Sequence, residues 1–329
     1  MKIKLPDSVS RFLESKWVGP VGLLIAVLAP FVSASAYSLN IMTTALIFVM
    51  LAVGLNIVVG YAGLLDLGYV AFMAVGAYTS GMVSKALGWP LLFTVPIVIV
   101  VTIVAGLIIG APTLRLRSDY LAIVTLGFGE IIRIVANNLD ITGGPQGIFG
   151  IPGYSMFGLD LDSPAIFYYI TLGTVALGVL FAARLSRSRM GRAWHFVRQD
   201  EDAAEAMGVN TYKLKLMAYI FGAIWGGLAG VMFAGHLSAI SPKSFVFLQS
   251  ALILMAVVLG GMGHVRGVVV GALIISLIPE FFRDFAEYRY IFFGVVLVVV
   301  MLVRPKGLWP EKMMEKLHRK SGKKKAVVA

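Results

Sequence analysis

Runs of about 20 apolar residues recur along the chain, separated by short polar connectors. A helix of about 20 residues crosses the hydrocarbon core of a bilayer, so each run reads as a transmembrane helix. Ten spans are expected, near 18–36, 38–60, 67–88, 91–111, 119–139, 165–183, 215–235, 249–263, 267–283 and 289–303. The eighth and ninth are short and glycine-rich, which suits a broken or steeply packed segment. All the runs are continuously apolar, without the alternation that a barrel wall requires, and this excludes a transmembrane β-barrel. The expectation is an all-α polytopic membrane protein of about ten transmembrane helices.

Composition agrees with the pattern. Of 329 residues, 59% are hydrophobic and 14% are charged, against about 25% charged in soluble domains. The net charge of +11 would suggest a nucleic-acid partner in a soluble protein. Here the cations gather in short loops, where they act as topology determinants. With the N-terminus inside, 23 of the 28 Lys and Arg residues fall on the cytoplasmic side, and Lys85, Lys243, Arg283 and Arg289 fall at the outside. Both termini are therefore expected in the cytoplasm, and nucleic acid is not expected as a partner. The organisation is a cytoplasmic tail (1–17), a membrane domain (18–303) and a basic cytoplasmic tail (304–329). The basic start lacks a nearby small-residue cleavage site, so it reads as a tail and first span.

Three polar interruptions stand out. On the outside, 140–164 is rich in glycine and proline, with Gly143, Gly144 and Gly147 at its start, and 236–250 is the second outer loop. Inside, 184–214 carries "GRAWHFVRQDEDAAEAMGVNTYKLK". Asp200 or Asp202 is placed to cap a short helix there, with Glu201 and Asp202 in its first turn and Gly208 as a C-terminal stop. Asp202 and Glu205 have capping-box spacing. Ala203, Ala206 and Met207 form a small face that a partner's backbone can approach closely, with Met207 as an adaptable plug. A solvated loop with an incidental helix is the alternative. No soluble domain fits anywhere in the chain, so a catalytic engine or ligand-capture module must be another chain.

Charge inside the membrane costs roughly 2.5–3.5 kcal/mol per group and calls for an explanation. Glu130 and Arg133 lie mid-way along the fifth span on one helical face, and Asn137 continues that face. They are either a self-neutralised structural pair or a polar stripe lining a path for a solute bearing both charges, such as an amino acid. Asp66 lies at a helix break, "GLLDLG", where it is expected as an interfacial acid capping the third span, with proton carriage as the alternative. Glycines at four-residue spacing (Gly222, Gly226, Gly230, and Gly263, Gly267, Gly271) read as faces for close helix packing. The four histidines are scattered and there is no cysteine, so no metal site is expected. No nucleophile constellation or phosphate-binding loop is present either, so the chain is not expected to be an enzyme.

The segment "GRAWHFVRQDEDAAEAMGVNTYKLKLMAYIFGAIWGGLAG" resembles the cytoplasmic EAA-type loop and following span of ABC importer permeases. With "GYAGLLDLGYVAFMAVGAY", "LRLRSDYLAIVTLGFGEIIR", "ITGGPQGIFGIP", "VVLGGMGHVRGVVVGALII" and "RPKGLWP", the resemblance is to the branched-chain amino-acid permease family, its LivM-like membrane subunit. It runs in order from about 40 to 310. What it implies is a bacterial inner-membrane subunit paired with a second homologous permease subunit. Two cytoplasmic ATPase subunits would carry ATP-Mg, no cofactor being expected on this chain, and an extracytoplasmic solute-binding protein would deliver an amino-acid substrate. The coupling residues implied are Asp200, Glu201, Ala203, Ala204, Glu205, Ala206, Met207 and Gly208. Relatives in the family also handle urea or short amides. An ion-coupled secondary transporter is a further alternative, for which only Glu130 offers a midplane acid.

Overall fold

The computed structural model of the chain describes residues 18–32, 35–114, 118–152, 155–156, 159–160 and 163–281, with 294, 295 and 298. Among these, eleven α-helices follow one another. They are α1 (Val18–Val32), α2 (Ala36–Leu55), α3 (Val70–Leu87), α4 (Leu91–Thr113), α5 (Ser118–Asn138) and α6 (Pro164–Arg187). Then come α7 (Arg189–Gln199), α8 (Glu201–Ala206), α9 (Thr211–Leu237), α10 (Phe247–Gly260) and α11 (Val265–Phe281). Nine of the ten expected spans coincide with α1–α6 and α9–α11. Seven helical segments among the described residues are long and apolar enough to cross a membrane, the last beginning at Pro242 ahead of α10; α1 and α11 are shorter. The chain is thus a polytopic α-helical membrane protein. All but three residues of the expected tenth span lie outside the described residues, as do both tails.

Helix α9 is the centre of the bundle and packs on α2, α3 and α4. Its glycine face makes those contacts possible. A Cβ at Gly226 would lie 2.8 Å from the Cβ of Phe72, and one at Gly230 would collide with the backbone of α3. Backbones that approach this closely gain dispersion contacts, the main packing force available in lipid. Gly260 and Gly271 do the same for α10 against α11, which form a tight hairpin.

The connections gather at two ends. One holds the 62–69 break, the α7–α8 segment and the 261–264 turn, joined by contacts of Arg198 with Gly60 and of Gly263 with Asn56. At the other, the two-residue strands Ile148–Phe149 and Ala239–Ile240 pair antiparallel. A second small strand pair joins Ser155–Met156 to Leu159–Asp160. The loop between α5 and α6 is therefore partly ordered by backbone pairing. Pairing satisfies backbone groups that apolar surroundings would leave without partners.

Candidate coupling and pathway site

Helices α7 and α8 occupy the polar loop, which is confined to 188–210 because α6 runs on to Arg187 and α9 begins at Thr211. Ser188 caps α7 by accepting from Gly191 N at 3.1 Å. Trp194 is fully buried, donates from Nε1 to the Leu214 carbonyl at 2.7 Å, and stacks on Tyr61 at 6.5 Å and 13°. Its indole is a core residue with its one donor satisfied.

Asp200 caps α8, its Oδ1 accepting from Ala203 N at 2.9 Å. The expected capping box of Asp202 with Glu205 does not form. Glu205 instead accepts from the Thr211 hydroxyl at 2.6 Å, and Glu201 pairs with Lys215, so two of the acids tie α8 to the first two turns of α9. Gly208 ends the helix at φ +81°, a left-handed conformation in which a Cβ is strained. Ala204 is the residue that α8 buries, whereas Asp202, Ala206 and Gly208 are exposed and Met207 is 76% exposed. The face of Ala203, Ala206 and Met207 thus points mostly away from the bundle, with Ala203 half-buried at its edge.

The break after α2 is built differently. The helix passes into a π-helical turn at Asn56–Tyr61, widening the backbone ladder so that Ala62 N reaches Ile57 O. Such turns inside a helix mark places where regular packing gives way to another requirement. Asp66 follows and is fully buried. Its Oδ1 accepts from Gly68 N at 2.9 Å, and its Oδ2 has no hydrogen-bond partner among the described residues. The expectation of an interfacial acid capping the third span is corrected on both counts. Val70 N, at the start of α3, is capped by the Ser250 hydroxyl from α10 at 3.0 Å. Burial pushes the Asp66 carboxyl up to about 7, against the smaller opposing effects of the Gly68 N–H and the Thr125 hydroxyl. A residue larger than glycine at 68 would drive its Cβ into the Thr125 carbonyl, so the break can lie flush on α5 only as it stands.

Glu130 and Arg133 lie beside this break. Arg133 Nε and Nη2 both reach Glu130 Oε2 at 2.8 Å, with the two side chains 35% and 32% exposed. The pair is therefore at the edge of the bundle, and Asn137 is half-buried further along the same helix. Glu130 also lines a shallow surface crevice with Leu67, Gly68, Gly129 and Ser250. The fold thus brings Glu130 next to the Asp66 loop. It leaves Gly143, Gly144 and Gly147 at the opposite end, each at positive φ in the turn after α5, where Gly147 lies against Ile240.

Three residues at this end carried no clear signal in the sequence. Arg198 was one cation among many, Asn56 one amide in an apolar run, and Ser250 an ordinary hydroxyl. Asn56 within a span was the one legible hint, since a buried amide needs a partner.

The family model described as branched-chain amino acid transport system / permease component matches residues 37–301. The chain belongs to this permease family. It is 40% identical over 327 residues to the high-affinity branched-chain amino acid transport system permease protein LivM of Salmonella typhimurium, with 92% of this chain and 76% of that protein covered. Identity to the LivM of Escherichia coli K12 is 40% over 312 residues, covering 88% of this permease and 73% of that protein. The permease protein LivH of the same strain is 25% identical over 293 residues, 82% of this chain and 93% of LivH. No solved structure matches. Membership makes this permease a multi-pass transport subunit, in keeping with its apolar helices.

Proposed function

We propose that the permease is the membrane-spanning subunit of an ATP-driven importer for branched-chain or related neutral amino acids, in a bacterial cytoplasmic membrane. The reading adds the tenth span at 289–303 and places both termini inside, since the cation-rich end of the chain is then cytoplasmic. A second, related permease subunit completes the pathway. The relationship to both LivM and LivH proteins supports such a pairing. Two ATPase subunits dock at the cytoplasmic end and carry ATP-Mg, and an extracytoplasmic binding protein delivers the solute. This chain itself binds no cofactor.

The observation that carries the reading is α8. It is a capped helix held to the bundle by Ala204, Glu201 and Glu205 while Ala206, Met207 and Gly208 remain exposed. A short, rigid element with small residues and one flexible apolar side chain on its free side suits insertion into a groove of another protein. Glu130, Arg133 and Asn137 form the polar wall that an amino acid passes in this reading, with Asp66 buried behind it. Complementary charges at the bundle edge, half-open to the next subunit, suit a zwitterion.

The test uses Ala206→Arg and Met207→Asp, two changes at exposed positions that leave the fold intact. Uptake of L-leucine and copurification of the ATPase are expected to be lost while membrane insertion is unchanged. Normal uptake with the ATPase still bound would refute the docking role of α8.

A further inference from the structure

We infer that Arg198 is the positioning residue that transmits movement of α8 to the break of α2. The inference rests on the docking role proposed for α8 and goes beyond it in naming where the motion goes.

Three elements meet at this side chain. The guanidinium Nη1 donates to the Gly60 carbonyl, at the end of the π-helical turn where no further helical residue supplies a partner. A helix C-terminus carries negative partial charge, so a cation there is doubly suited. Gly63, at φ +74°, lies under the stem of Arg198; a Cβ there would come within 2.7 Å of Arg198 Cγ. The turn between α10 and α11 closes the junction. Gly263 N donates to Asn56 Oδ1 at 2.8 Å, and a Cβ at Gly263 would lie 3.3 Å from Arg198 Nη1.

The route from α8 is short and stiff. A single extended residue, Asp200, separates α7 from α8 and caps the latter. Arg198 is therefore three positions from the first residue of the docking helix, on a helix that cannot slide freely because Trp194 is buried and bonded to α9. A push on α8 pivots α7 about Trp194 and pulls on Gly60. From Gly60 the chain runs directly into the loop of Asp66 and Gly68, which lies against α5 beside Glu130. Arg198 thus links the cytoplasmic surface to the polar wall through backbone, with no ion-pair partner among the described residues.

The test is the number of L-leucine molecules moved per ATP hydrolysed by the complete assembly in liposomes. Arg198→Met keeps the stem over Gly63 and removes the donors. It is expected to lower that ratio about tenfold, the size of losing one charge-assisted hydrogen bond, while copurification with the ATPase and hydrolysis itself persist. Arg198→Lys, with a point charge in place of the fork, is expected to lower it at least twofold. Arg192→Ala, which removes a bond to the Arg187 carbonyl on the exposed side of the same helix, is expected to change nothing. An unchanged ratio in Arg198→Met, or in Arg198→Lys should the Met variant not reach the membrane, overturns the inference. Failure of the docking reading looks different, since it shows as normal uptake in the α8 variants whatever Arg198 does.

Discussion

Helices α7 and α8 are consecutive in one loop, yet they are held in opposite ways. α7 buries Gly191, Trp194 and Val197 and is pinned by the Trp194 indole, the Tyr61 ring and Arg198. α8 buries Ala204 alone and is held by two polar contacts to the start of α9. The anchoring of α7 comes from apolar burial and directed hydrogen bonds within the bundle. That of α8 comes from exposed acids whose energy is modest and screened by solvent. The loop is thus divided into a fixed strut and a presented surface, and only the second is free to receive a partner.

That contrast can be broken most directly at Trp194. Trp194→Ala is expected to destabilise the permease by about 3–5 kcal/mol, the range for deleting a buried aromatic. Loss of the folded fraction on heating in detergent is the measure; a change within experimental error would mean that α7 is no strut. A middle effect is expected at Ala204, where Leu has no room. Ala204→Leu should cost about 1–3 kcal/mol through overpacking, and limited proteolysis at 199–210 should rise, since α8 would be levered off the bundle. The smallest stability effect is expected at Met207. Met207→Ala should shift stability by less than about 0.5 kcal/mol, yet weaken retention of the ATPase on a tagged permease. A stability loss as large as that at Ala204 would show Met207 to be packed on this chain, and the division of the loop would fail.

Asp66 and Glu130 offer a second lesson on what can be read from residues alone. Both are acids in an apolar chain, and pattern alone placed Asp66 at the interface and Glu130 inside. In the fold Asp66 is sealed against α5, with one oxygen unpartnered among the described residues, and Glu130 is one-third exposed at the bundle edge. Their spacing along the helices was legible, because helical periodicity is a local property. Their burial was not, because it depends on a break in α2 that folds inward along the flank of another helix.

The amino-acid sequence by itself determined the membrane class, the position of nine of the expected helices, the stop of α8 and two candidates for its cap, and the family. Each follows from the transfer of apolar side chains, from residue spacing within a turn or two, or from an ordered string of motifs. Only the tertiary structure decided that α8 turns Ala204 inward, that Ser250 rather than Asp66 serves the start of α3, and that Arg198 reaches Gly60. Residues 138 apart in the chain meet at that last contact. Nothing local encodes such a meeting; Trp194 ties α7 to α9, and glycines on α2 and α9 let those two helices close up.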